Sequence, residues 1–354
     1  MTTVVTGCAP VSNVTENDRS HARLKTYPAE SVSRCDGELG KEEPSLTDPK
    51  PGVALAPRLT SEEAEALARQ SSLRQMGVRP PLGHYIRALW GRRSFIWNLS
   101  SSRAYVRNQG SYLGQAWTVL RPILDAATMI IIFGFVFHGS APGIQNRAAF
   151  IVIGSFAYGL FQGIVMAGIG SIRNDLQLIR SHQFPRAVVP LASVMTETVL
   201  FGPIMIAMVV LVVLTGFLPD MGGPVYPHWS WLLLPVAAAL LAMFSAGVAL
   251  FFARLGARTP DIANVVPFFL SLGRFASGAT FSIAGLTAAG SWFRPLLLYQ
   301  PVQVFLELFR SVFGNEPLIP MSPGLWLLAA VYAVGVFVIG FLFFWGAEES
   351  YGRD

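Results

Sequence analysis

SIRNDLQLIRSHQFPR, residues 171–186, is a short charged joint between two long apolar runs, Phe150–Gly170 and Ala187–Gly216. A bilayer core about 30 Å thick needs roughly 20 apolar residues per helix, and both runs reach that length. The joint is therefore a loop between two membrane spans. Its Arg173, Arg180 and Arg186 mark the arginine-rich side of the bilayer.

Working outward, Val119–His138, Trp231–Phe252, Ile262–Ile283 and Leu325–Trp345 also reach spanning length, which brings the expected spans to six. A further stretch, Phe293–Gly314, is broken by Arg294, Pro295, Pro301, Glu307 and Arg310. It reads as re-entrant or interfacial, because irregular backbone survives at membrane depth only where protein or a water-filled cavity covers it. With 52% hydrophobic and 13% charged residues, the chain is not a soluble single-core protein. The expected fold class is an all-α integral membrane protein with six transmembrane helices, an N-terminal amphipathic interface helix and a re-entrant segment before the last span.

Arginine placement sets the expected orientation. Arg79, Arg87, Arg92, Arg93, Arg103 and Arg107 precede the first span, with no acidic residue between Arg79 and Trp117. Arg254 and Arg258 lie in a later loop of the same side, whereas the opposite side has Arg147 in its first loop and no Lys or Arg from Phe217 to Trp229. Both termini are expected in the cytoplasm, in a multi-pass protein of the cytoplasmic membrane. The net charge of +5 follows from these flanking cations and not from a nucleic-acid surface. Cys8 and Cys35 fall in the polar N-terminal region and imply no disulfide framework. No signal peptide is expected, since the first long apolar run starts beyond residue 115.

Residues 1–83 read as a mostly disordered cytoplasmic tail, with one capping-box helix start at Thr60 to Glu63. Residues 84–110 place Ile86, Leu89, Trp90 and Trp97 on one helical side, with Arg93 intruding, as expected of a helix in the headgroup layer. Residues 115–346 form the expected six-span domain, and 347–354 a short cytoplasmic tail.

Catalytic signatures are missing. Lys25, Lys41 and Lys50 are the lysines, all in the tail, so the phosphate-cradling G-x-x-x-x-G-K-[ST] motif is absent. The histidines, His21, His84, His138, His182 and His228, show no metal-ligand spacing, and no G-x-S-x-G nucleophile motif occurs. The chain is not expected to be an enzyme or to hold a metal or cofactor. If ATP drives it, a partner chain hydrolyses the ATP.

Three ordered stretches carry a resemblance. RNQGSYLGQAWTVLRP (Arg107–Pro122), LQLIRSHQFPRAVVPL (Leu176–Leu191) and ARTPDIANVVPFFL (Ala257–Leu270) resemble the lead-ins to the first, third and fifth spans of ABC-2 type permeases that export polysaccharides. The similarity runs over about residues 85–346, and in its arginine usage and tail AEESYGRD the chain is most similar to the mycobacterial galactan-exporting members. The resemblance implies a homodimer of permeases with two nucleotide-binding ATPase subunits, ATP and magnesium being held on those partners. It implies a lipid-diphosphate-linked glycan as cargo, and membrane lipid rather than nucleic acid as surroundings. Two features depart from the family: the long tail, and SGAT at Ser277–Thr280 where a Ser-Pro is usual.

The resemblance assigns coupling to the ATPase to Asn174, Asp175, Leu178, Ile179, Arg180 and His182, with Pro185 stopping their helix. Arg92, Arg93, Arg103 and Arg107 are the candidates for a lipid diphosphate, because a guanidinium fork suits phosphate; binding of anionic lipid by the same arginines is the alternative. Glycan passage asks for aromatic faces, with Phe133, Phe137, Tyr158, Phe161 and Phe281 as candidates beside Phe268 and Phe275. Gly159 and Gly163 have the spacing of close helix packing. On the fifth span Ser271 and Arg274 share a face with Asn264, Pro267 and Gly278. An intramembrane arginine needs a partner or water, so Arg274 is expected to pair with Glu197, at similar depth, or with Glu307. A permease for small drug-like molecules, an ion-coupled transporter using Glu197 and Arg274, and a membrane glycosyltransferase are the rival readings.

Overall fold

The chain divides between Leu73 and Arg74. The computed structural model describes residues 60, 80–136, 144–181, 184–217, 223–283, 292–314 and 321–348. The expected tail helix after Thr60 lies outside the described residues, as do His182 and Phe137.

Among the described residues the fold is helical throughout. Two short helices, α1 (Leu82–Gly91) and α2 (Arg93–Val106), lead to α3 (Ala116–Met129), which continues as a π-helical turn, Ile130–Val136. There follow α4 (Arg147–Asn174), α5 (Leu176–Ser181), α6 (Val188–Thr215), a 3₁₀ turn (Trp229–Leu233) and α7 (Leu234–Arg258). The last four are α8 (Ile262–Ala276), α9 (Arg294–Leu298), α10 (Pro301–Phe313) and α11 (Pro323–Trp345).

Helix ends follow local chemistry. Asn146 caps α4 by accepting from the Ala149 amide at 2.9 Å, and Ser322 caps α11 through the Leu325 amide at 3.3 Å. Pro301 and Pro323 open α10 and α11, where a missing N–H does no harm. Gly314 closes α10 at φ +69°, a left-handed position that favours glycine.

Among the described residues, five helical segments are long and apolar enough to cross a bilayer: Ala116–Phe133, Arg147–Asn174, Val188–Thr215, Trp229–Arg258 and Pro323–Trp345. The sixth expected span, Ile262–Ile283, is represented by α8 alone, whose 15 residues rise only about 22 Å at 1.5 Å each. Gly278, at φ +67°, turns the chain just beyond α8. Thus SGAT ends the helix without a proline. Phe293–Gly314 folds as α9 and α10, and every residue of α10 from Gln303 to Phe313 is buried. The amphipathic stretch is split at Arg92 into α1 and α2, with Trp90 and Trp97 exposed.

α4 is the central helix: 78% of its apolar window is buried, against 6% for the first span. It packs on α6, α7 and α10, while α7 also packs on α11, and α2 lies on α6. Close approach depends on glycine. A Cβ at Gly340 would stand 2.0 Å from the Gly247 carbonyl oxygen, and one at Gly247 would stand 2.4 Å from that of Val336.

A buried polar knot fixes α10 against the break after α8. Arg310, fully buried, donates to Glu307 at 3.0 Å and to the carbonyls of Gly278 at 2.8 Å and Ala279 at 3.2 Å. Its guanidinium lies over Phe150, 3.4 Å from the ring centroid, and Gln303 donates to Glu307. Gly154 makes room, since a Cβ there would stand 2.0 Å from the Ala279 oxygen and 2.8 Å from the guanidinium.

Two outcomes are expected from purified protein. Gly340→Ala should lower the thermal midpoint, at about 1–3 kcal/mol for overpacking, whereas Gly335→Ala, with open space around it, should not. Glu307→Leu should destabilise by about 3–5 kcal/mol, because it strands the Arg310 charge in the core.

Candidate functional site

α3, α4, α6 and α8 enclose a cavity of about 480 Å³. Trp117, Arg121 and Asp125 come from α3, one helical turn apart. Gly159, Gln162 and Gly163 come from α4, Glu197 from α6, Arg274 from α8, and Arg107 from the end of α2. A second cavity of about 550 Å³ lies beside it, lined by Arg103, Asn174, Asp175 and Ser193, and shares Arg107 and Glu197 with the first.

Gly159 and Gly163 shape the α4 wall. A Cβ at Gly159 would meet nothing within 4 Å, and one at Gly163 would meet only the Glu197 carboxylate, at 3.3 Å. These glycines open the cavity and do not seat a neighbouring helix, contrary to the packing role expected for them. The close-packing glycines of α4 are Gly154 and Gly168.

Arg274 does not pair with Glu197 or Glu307. Its guanidinium bonds the Asp125 carboxylate and the Gln162 amide oxygen, the latter at 3.2 Å, and lies 5.6 Å from the Tyr158 ring centroid. Glu197 instead pairs with Arg107 at 2.7 Å, and Glu307 with Arg310. Matching depth does not bring two side chains together; the helices must also turn the right faces to each other, and α3 and α4 face Arg274 where α6 does not. The ion-coupled reading that rested on a Glu197–Arg274 pair loses that premise. Asp125 was findable as the acid within the first apolar run, since an intramembrane charge is a functional candidate by default.

The four arginines proposed for a lipid diphosphate divide in two. Arg103 pairs with Asp175 and Arg107 with Glu197, each at 2.7 Å, so both are already neutralised. Arg92 and Arg93 are exposed, with Arg93 5.5 Å from the Trp90 ring centroid.

The coupling candidates are also split. Asn174 and Arg180 are exposed, and Leu178 is half-buried. Asp175 is turned inward to Arg103. Ile179 is buried in a cluster with Ile172, Val189, Leu250 and Phe344, so it anchors α5 and is not offered to a partner.

Of the aromatic path candidates, Tyr158 and Phe161 are buried. The Tyr158 hydroxyl donates to the Leu270 carbonyl at 2.5 Å, and Phe161 stacks on Phe244 at 5.9 Å. They belong to the helix–helix core because the cavity face of α4 is the glycine face. Phe133 and Phe275 meet at 6.0 Å, Phe281 is half-buried, and Phe268 and Ser271 are exposed. None of these five lines the 480 Å³ cavity.

A third feature escaped the sequence reading. Glu348, just past α11, accepts from the Tyr85 hydroxyl and the Arg186 amide, each at 2.9 Å, and the Ala187 amide donates to the same hydroxyl at 3.0 Å. The Arg186 guanidinium bonds the Glu348 carbonyl, and the Trp345 indole donates to the Pro80 carbonyl at 3.3 Å. This clasp ties α1, the start of α6 and the end of α11 together. Burial pushes the Glu348 carboxyl above its ordinary range, against the pull of the Arg186 amide, the Tyr85 hydroxyl and the Arg186 charge.

Long apolar helices with arginine-rich ends surround an ionic cavity. The ABC-2 type transporter family matches residues 102–313, more than half of the chain. The chain belongs to that family. Among its relatives are two proteins named O-antigen export system permease protein RfbA. The one from Klebsiella pneumoniae is 26% identical over 213 residues, 60% of this chain and 77% of the relative. The one from Myxococcus xanthus is 24% identical over 265 residues, 75% of this chain and 96% of the relative. The polysialic acid transport protein KpsM of Escherichia coli is 25% identical over 199 residues, 56% of this chain and 73% of the relative.

The clasp gives a pH test. The folded state holds the Glu348 proton more tightly than the unfolded chain, so its contribution to stability is greatest at low pH and falls as pH rises from the ordinary carboxylate value to the raised one. The thermal stability of the wild type relative to Glu348→Gln should therefore increase as pH is lowered through that window and level off on either side. A pH series of unfolding midpoints on the two proteins in detergent checks it; a difference independent of pH would contradict it.

Proposed function

We propose that this chain is the permease subunit of an ABC exporter that moves a lipid-diphosphate-linked polysaccharide, a galactan in the narrowest form of the reading, across the cytoplasmic membrane. ATP hydrolysis on a separate nucleotide-binding subunit drives it, and two permeases join two such subunits. The observation that carries the reading is the alignment with an O-antigen export permease over 75% of this chain and 96% of the relative. The ionic cavity between spans supports it, because a bundle built only for packing would not keep arginines and carboxylates around open space.

In this reading the arginine-rich ends face the cytoplasm, and the partner ATPase pushes on the end of α4 through Asn174 and on α5 through Leu178 and Arg180. Asp175 follows α4 directly and holds Arg103 of α2, and one turn further along α2 the chain holds α6 through Arg107 and Glu197. A displacement of α5 is thereby passed to α2, and from α2 to α6 and the cavity wall.

Affinity capture of the tagged permease in mild detergent should recover a stoichiometric ATPase subunit, and cells depleted of the permease should accumulate glycan-lipid inside. Absence of an ATPase partner, or depletion without such build-up, would contradict the proposal. Arg103→Asp should lower export roughly tenfold, on the scale of one charge-assisted bond, and the exchanged pair Arg103→Asp with Asp175→Arg should recover much of it. Failure of the exchange to restore export in an assembled complex would remove this pair from the coupling route.

A further inference from the structure

The lining of the 480 Å³ cavity contains three arginines and two carboxylates. Two of the arginines are committed: Arg107 to Glu197 and Arg274 to Asp125. Among the described residues, no carboxylate is within ion-pair reach of the third, Arg121. Its guanidinium lies over Trp117, one turn earlier on α3, 5.9 Å from the ring centroid. Asp125, one turn later, sits at i+4 to it yet is taken by Arg274.

Arg121 lies within the apolar window of the first span. A cation there is tolerated when a counter-ion or water reaches it. The indole face lies near the guanidinium but carries no formal charge, so it leaves the charge of the fork unmatched. A guanidinium fork matches the oxygens of a phosphate, two bonds at a time. Asn108 and Thr118, bonded to each other at 2.8 Å, line the same cavity beside it.

We propose that Arg121, set on the face of Trp117, is the receptor for a phosphate group in this cavity, and that the phosphate is the anionic end of the lipid-linked cargo. The assignment of the cargo rests on the polysaccharide-export reading above. The bond from Arg121 to the phosphate supplies the charge that Arg121 lacks. Arg103 and Arg107 already face carboxylates, Asp175 and Glu197, so a phosphate there would have to displace an existing ion pair. A phosphate from ordinary anionic lipid has the same chemistry and would reach Arg121 by the same fork.

The test uses the permease purified together with its ATPase partner, as wild type, Arg121→Gln and Arg121→Lys. Native mass spectrometry measures the retention of added polyprenyl diphosphate and, separately, of added phosphatidylglycerol. Arg121→Gln should weaken retention of polyprenyl diphosphate about tenfold or more and leave phosphatidylglycerol unchanged. Arg121→Lys keeps the charge but loses the fork, so it should fall between; if the Gln variant fails to assemble, the Lys variant carries the test. Equal weakening for both lipids would uphold a phosphate site at Arg121 and overturn its assignment to the cargo. Unchanged retention of both in assembled variants would overturn the proposal. A wild-type complex that retains no polyprenyl diphosphate would sink the polysaccharide reading itself; Arg121 would then stand or fall on phosphatidylglycerol alone.

Discussion

An arginine at bilayer depth is tolerated only when something neutralises it or water reaches it, and the centre of this bundle is arranged around that condition. Arg310 meets it in the dry way. Its charge is shared among Glu307, the carbonyls of Gly278 and Ala279, and the face of Phe150. Each of those partners imposes something on the fold. The two carbonyls are available because α8 has ended and the chain turns at Gly278. Phe150 can lie under the guanidinium, and the chain after α8 can approach α4, because residue 154 has no side chain. The short α8, the buried α10 and the glycine of α4 are thus consequences of seating one charge. Arg274 meets the same condition in the wet way, at the wall of a cavity with Asp125 and Gln162.

Glycine does opposite work along α4. At Gly154 and Gly168 an added Cβ would collide with neighbouring backbone, so these positions let helices close on one another. At Gly159 and Gly163 the missing side chains leave open space beside Glu197. Lipid offers no hydrophobic gain for burying one apolar helix against another, so association depends on close fit. A cavity in such a bundle persists only if its walls are held from outside. Here α4 is clamped by α6, α7 and α10, and the first span stands at the edge with 6% of its window buried.

The lengths of the apolar runs and the arginine asymmetry of their flanks were legible from composition alone, because both are one-dimensional quantities. The family was legible from three short stretches in order. Partner choice was not. Glu197 was matched to Arg274 by rise along their helices, which fixes depth but not rotation, and Asp125 lay on the helix that faces Arg274. The aromatic residues of α4 were path candidates on ring chemistry alone, which does not fix the face they occupy: Tyr158 and Phe161 turn into the core and the glycines beside them face the cavity. Hydropathy also counted Ile262–Ile283 as one span, since a window average does not register a turn at Gly278. The Tyr85–Glu348 bond joins residues 263 apart, a separation across which no local pattern operates.

The burial of the ion pairs separates fixed parts from moving ones. The side chains of Arg310 and Glu307 are 0% and 5% exposed, and breaking that pair would strand a charge in the core, at a cost of about 3–5 kcal/mol. Arg107 is 48% exposed against 16% for Glu197, and Arg103 with Asp175 are at 28% and 20%. Pairs this accessible to water are weak and exchange readily. They are also the ones that join α2 to the end of α4 and to α6, whereas the dry pair sits where α10 meets the chain after α8. Under the proposed drive from α5, joints near the drive would have to open at little cost while the frame away from it stays rigid, and the ion pairs of this bundle are graded in that order.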